Sequence, residues 1–189
     1  MLASLVTALV LVARTLSPQD AEVMSTAPRV DRPEVMSTAP GVDVVETERF
    51  REAVAYANPM PRGAPEGDYP LVAWCEALVN GHIALGETLT NGDPLDLDII
   101  RLGRLEATDF RAALDAAEPR QTAAGRAAAA TAAAEAAAKW SPLAGQDEAV
   151  RSQAFGLFFG LPGRCEHAAR RLRLNITTPP ATLADVGLE

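Results

Sequence analysis

The sequence predicts an all-α domain, a bundle of about five or six helices with one inter-helix disulfide, preceded by a disordered linker. Three observations predict it. Leu71, Cys75, Leu78, His82, Leu85 and Leu89 recur at alternating spacings of four and three, which places them on one helical face. Residues 121–140 are dominated by alanine, the residue with the strongest helix propensity. Between such stretches the chain is punctuated by Asn58-Pro59, Asn91-Gly92, Pro119-Arg120, Ser141-Pro142 and Leu161-Pro162-Gly163, each a helix stop or tight break.

The domain is expected to run over residues 45–175. Its first helix covers Glu46 to Ala57, with Phe50, Ala53, Val54 and Ala57 on one face. A loop follows from Asn58 to Tyr69, stiffened by Pro59, Pro61 and Pro65. The striped helix spans Pro70 to Leu89, with Trp74 flanking the stripe. Asp93 and Pro94 then have the identities of an N-cap and a first-turn proline. They open a long helix, Leu95 to Glu118, whose apolar stripe is Leu95, Ile99, Leu102, Leu105, Phe110 and Leu114, with a weak point at Gly103. The alanine helix comes next, and either packs very closely on a neighbour or lies on the surface. Asp147 to Gly160 is a further helix, with Asp147 and Glu148 placed where the helix dipole favours acids. Its Gly156-x-x-x-Gly160 spacing reads as a helix end or a close approach. Arg164 to Leu174 is the last helix, and residues 176–189 form a C-terminal tail. Asn175-Ile176-Thr177 matches a glycosylation sequon, a motif short enough to recur by chance.

Of the 189 residues 48% are hydrophobic, yet only 5% are aromatic, so the core is built largely from alanine and leucine. Such a core buries little area per residue, and a thin stability margin follows. The net charge of −8 and a pI near 4.8 argue against nucleic acid as a partner, since a phosphate backbone would be repelled.

Residues 1–21 read as a signal peptide. An apolar run from Leu2 to Ala13 ends at Arg14, too short to span a bilayer and suited to a secretory leader, although no Lys or Arg precedes it. The mature chain is therefore not expected to be transmembrane, and a bacterial periplasmic or secreted location follows. Residues 22–44 read as a disordered linker in which Glu22–Pro28 (EVMSTAP) is repeated as Glu34–Pro40. Two copies are too few for a solenoid.

The two cysteines and two histidines invite a zinc reading, which helix geometry opposes. Cys75 and His82 are seven residues apart, about 10.5 Å along a helix axis, and Cys165 and His167 are turned about 200° from each other. No metal or other cofactor is expected. A disulfide between Cys75 and Cys165 suits the pattern better, because each lies on the apolar face of its helix and both faces turn toward one core. The competing reading is a pair of free buried thiols in a reducing compartment. His82, among leucines, reads as a core histidine. His167 points away from the Cys165 face, and with Arg164, Arg170, Arg171 and Arg173 makes the one basic cluster. That cluster is either a solvated face, with Glu166 able to pair with Arg170, or a contact for an anionic partner.

Nucleophile-elbow, P-loop and H-E-x-x-H motifs are all missing from the sequence, and neither histidine has a nucleophile at a telling spacing. The strings Val72-Ala73-Trp74-Cys75, Gly81-His82 and Leu161-Pro162-Gly163-Arg164-Cys165-Glu166 resemble those of an uncharacterised family of bacterial exported helical proteins. The resemblance spans about residues 45–174 and implies export, but no activity. The expected function is a non-enzymatic protein-interaction module of the cell envelope, with the Phe155, Phe158 and Phe159 cluster supplying core, interface or both. The alternative is a small-molecule or lipid binder with a pocket lined by Trp74, His82 and Phe158. An enzyme using His82 has no motif behind it.

Overall fold

A computed structural model describes residues 44–90, 92–158 and 160–188. The leader, the EVMSTAP repeat, Asn91 and Phe159 lie outside the described residues. The described residues form seven α-helical segments. These are α1 (Val44–Ala57), α2 (Asp68–Gly86), α3 (Pro94–Ala117), α4 (Ala123–Ala138), the single turn α5 (Ser141–Ala144), α6 (Glu148–Gly156) and α7 (Gly163–Arg173). Short 3₁₀ turns follow α3 (Glu118–Arg120) and lie near the C-terminus (Ala184–Val186). No strand occurs among the described residues.

Local sequence sets the helix ends. Asp93 caps α3 in a reciprocal box with Asp96. The Asp96 N–H donates to the Asp93 carboxylate at 3.0 Å, and the Asp93 N–H to the Asp96 carboxylate at 3.1 Å. Thr122 and Asp147 are one-way caps of α4 and α6, each side chain accepting from the N–H three residues on at 3.0 Å. At the end of α7, Asn175 takes a left-handed conformation (φ 52°). The Ile176 N–H then reaches back to the Arg171 carbonyl at 2.9 Å, the Schellman closure.

α2 is the axis of the fold, with α3, α4, α6 and α7 packed around it. Burial there is wider than the single predicted stripe. Val72, Ala73, Trp74, Val79 and Ile83 are buried alongside Leu71, Cys75, Leu78, His82 and Leu85. A helix covered on several sides needs apolar residues nearly all round. α4 lies against it through Ala129, Ala132 and Ala136, so the alanine helix is of the close-packing kind.

Two glycines of α2 are seats for rings. A Cβ at Gly81 would collide with the Trp140 indole, and one at Gly86 with the Phe155 ring. Gly103 is not a weak point: α3 runs unbroken through it, and a Cβ there would sit 3.1 Å from Ile83. Gly156 ends α6, and a side chain at neither Gly156 nor Gly160 would touch anything, so that pair marks a helix end.

The disulfide joins α2 to α7. Cys75 and Cys165 are bonded, fully buried, and 6.1 Å apart at Cα. Among the described residues no helix is long and apolar enough to cross a membrane.

Three predicted faces are corrected. On α1, Phe50, Val54 and Ala57 are exposed, and the buried face is Glu52, Ala53 and Ala55. On α3, the second half of the stripe, Phe110 and Leu114, is buried, but Leu95, Leu102 and Leu105 face outward. Ile100 and the alanines Ala107, Ala113 and Ala117 take the inward positions, the alanines letting the second half of α3 approach α2 and α7. On α7, His167 and Arg171 are buried although the Cys165 face alone was expected to be, since α7 is covered by α1, α2 and α3 together.

Candidate functional site

Three groups of residues merit weighing as sites. The first surrounds His82. Its ring stacks on Phe155 (centroids 4.3 Å apart) and meets Phe158 at a tilt (4.4 Å), with Trp140 at 5.8 Å. Nε2 donates to the Phe155 carbonyl at 2.9 Å, which fixes the tautomer. Burial pushes the imidazole pKa below its ordinary value, against the opposing pull of that carbonyl. The ring is thus a neutral wedge inside an aromatic box closed by the α4–α5 junction and the end of α6. Among the described residues its one hydrogen-bond partner is the Phe155 carbonyl, and no ion pair joins it to a carboxylate. The structure brings His82 and Phe158 together and adds Phe155 and Trp140 to them; the place of Trp140 over Gly81 left no periodic signal. Trp74 lies elsewhere. It is eight residues earlier on α2, about 12 Å along the axis, and its buried ring faces the Lys139 ammonium at 5.0 Å. Phe155 is core, and Phe158 is half-buried.

The second group centres on Arg171. Its Nε donates to Asp68 at 2.9 Å, one terminal nitrogen to Glu52 at 3.2 Å, and the other to the Thr178 carbonyl. Glu52 also accepts from the Ala181 N–H at 3.1 Å, and Asp68 from the Tyr56 hydroxyl at 2.8 Å. Burial opposes the Arg171 charge, but Asp68 and Glu52 outweigh it and its pKa rises. Burial, then the Asp68 charge, drives the Tyr56 phenol well above its ordinary range. This network explains the corrected face of α1: Glu52 turns inward because Arg171 is there to meet it. It also ties down part of the C-terminal tail, where Ala181 is buried.

The predicted basic cluster therefore does not exist as one surface. Arg171 is saturated by partners. Arg164 donates to the Tyr56 carbonyl and lies over the Tyr56 ring. Arg170 is half-buried and Arg173 exposed, and Arg173 reaches Asp109 at 3.7 Å. No ion pair joins Glu166 to Arg170 among the described residues. The Glu166 charge acts instead on Glu106, whose carboxyl is pushed up by partial desolvation, then by Glu166 and Asp109. An open groove of about 550 Å³ between α2 and α3 has Asn80, Thr108 and two arginines on its walls. Both arginines are already paired, Arg111 with the buried Glu76 at 2.7 Å and Arg104 with Glu87 at 2.5 Å.

The third group is the outward half of α3. Leu95, Ile99, Leu102 and Leu105 are separated by four, three and three residues, so they form one continuous ladder. Leu95, Leu102 and Leu105 are 64%, 53% and 58% exposed. The sequence shows this ladder clearly. What it hid was which side of it would be covered.

Comparison with family models, curated proteins and solved structures finds no match. The resemblance to exported helical proteins thus rests on the quoted strings alone, and the reading of function rests on the geometry.

Proposed function

We propose that this chain is a non-enzymatic, exported helical protein that binds another protein of the cell envelope through the outer face of α3. The single observation that carries the reading is the row of exposed leucines Leu95, Leu102 and Leu105, which the half-buried Ile99 joins to the core. Scattered exposed leucines need no explanation, but a contiguous row at helix-packing spacing has the form of an interface. Export is supported by the Cys75–Cys165 disulfide, since such bonds persist in oxidising compartments, and by the apolar run at residues 2–13. A pocket for a small molecule between Trp74 and His82 gains no support, because the Phe155 and Phe158 rings pack directly against the imidazole, with centroids 4.3 and 4.4 Å away.

Site-directed photo-crosslinking in the native host tests the reading. A photoreactive residue at Leu102 or Leu105 is expected to trap a discrete protein adduct that one at Ala134, on the exposed side of α4, does not. Equal adducts at all three positions, or none at Leu102 and Leu105, would refute the interface. Fractionation and thiol labelling test export: a cytoplasmic protein with two free thiols would refute it.

A further inference from the structure

Resting on the α3 face as the interface, we infer that its partner is a basic amphipathic helix, leucine-rich on one side and flanked by Lys or Arg. The spacing of Leu95, Ile99, Leu102 and Leu105 is that of a seam between two helices. Covering a side chain that is about half exposed contributes roughly 1 kcal/mol, so the three exposed leucines supply only about 3 kcal/mol. Association costs consume an amount of that order. The apolar row alone therefore does not hold a specific partner, and the charges beside it must contribute.

Those charges are mostly acidic. Asp98, Glu106 and Asp109 follow the ladder along α3, and Glu166 of α7 adds its field to Glu106. Arg101 reaches Asp98 at 3.3 Å and Arg173 reaches Asp109 at 3.7 Å. Glu106 has no cation partner among the described residues; partial desolvation first, and then the repulsion of Glu166 and Asp109, push its carboxyl pKa up. A cation brought alongside Glu106 relieves that repulsion. A second copy of this chain would bring the same carboxylates face to face, and an anionic lipid surface would meet like charge. A helix carrying Lys or Arg on either side of an apolar row satisfies both features.

Fluorescence anisotropy with the full disulfide-bonded protein tests this. The probe is a labelled peptide of about five helical turns with leucines at one face and lysines flanking them. A second peptide carries glutamate for every lysine. The lysine peptide is expected to bind at least about tenfold more tightly than the glutamate peptide, with the gap closing as salt rises. The triple variant D98K/E106K/D109K is expected to weaken it about tenfold or more, and L102S/L105S likewise. The triple variant E46K/E66K/E135K makes the same change of net charge away from α3, and is expected to leave binding within about twofold. Equal binding of both peptides, lost in L102S/L105S, would overturn the charge inference and leave the face standing. An equal loss in both charge variants would mean bulk attraction only, which overturns it too. Leucine-dependent binding to anionic vesicles, or a leucine-dependent dimer in sedimentation, would overturn it in favour of those occupants. Failure of the lysine peptide to bind would overturn the basic helix, while crosslinking at Leu102 decides separately whether the face is an interface.

Discussion

Replacing Gly81 by alanine sets helix propensity against packing, and the structure decides the sign. Gly81 lies inside α2, where alanine for glycine is worth about 1 kcal/mol of added stability on propensity alone. The new Cβ would fall inside the Trp140 indole, much closer than any neighbour can yield by small adjustments. The indole must leave its seat, and with it the ring contacts to His82 (5.8 Å) and Phe158 (5.6 Å). Overpacking of this kind costs about 1–3 kcal/mol, and here the upper end applies because a rigid bicyclic ring, not a flexible tip, is displaced. With the propensity gain subtracted, Gly81→Ala is expected to destabilise by about 2 kcal/mol, a fall in Tm of roughly 4–8 °C. Urea denaturation of the oxidised protein measures it. Trp140→Ala supplies the second arm. In that background the obstacle is gone, and the same substitution is expected to stabilise by about 0.5–1 kcal/mol. A stabilising Gly81→Ala in the wild-type background, or the same effect with and without Trp140, would refute the seating of the indole on α2.

Arg171→Ala leaves Glu52 and Asp68 facing each other without a cation, and is expected to cost about 3–5 kcal/mol in chemical denaturation. A companion Glu52→Gln/Arg171→Met variant, with less charge to strand, is expected to recover part of that loss, and the C-terminal segment from Thr178 to Ala181 is expected to become cleavable by protease in Arg171→Ala first. His82 predicts a pH effect. Its folded pKa lies below the unfolded value of 6.5, so the unfolded chain binds the extra proton. Its contribution to stability is whole above that value and is lost as pH falls through it toward the folded pKa. The difference in unfolding free energy between wild type and His82→Phe is therefore expected to shrink from pH 7.5 toward pH 5, and a flat difference would contradict a neutral buried imidazole.

Much of the architecture was legible in the sequence because the signals were local. Asp93-Pro94 carries its own capping chemistry, alanine its own propensity, and Asn58-Pro59 its own stop. The Cys75–Cys165 bond was legible for a different reason: each cysteine shares a face with apolar neighbours, and two such faces in one domain must meet. The aromatic box was half legible. His82 sits on a stripe, but Trp140 follows an alanine run with no periodicity to orient it.

What the sequence by itself determined was the helical class, most helix limits and the covalent tie from α2 to α7. Only the tertiary structure decided which side of α1, α3 and α7 is covered. Periodicity marks an apolar row but does not say whether the row meets this chain or another molecule. The ladder on α3 is as regular as the stripe on α2, yet alanines on the next arc of α3 allow a closer approach and took the inward place. Arg171 read as part of an outward basic cluster for the same reason: a charge is buried only when its partner arrives, and its partner Glu52 is 119 residues away in the chain.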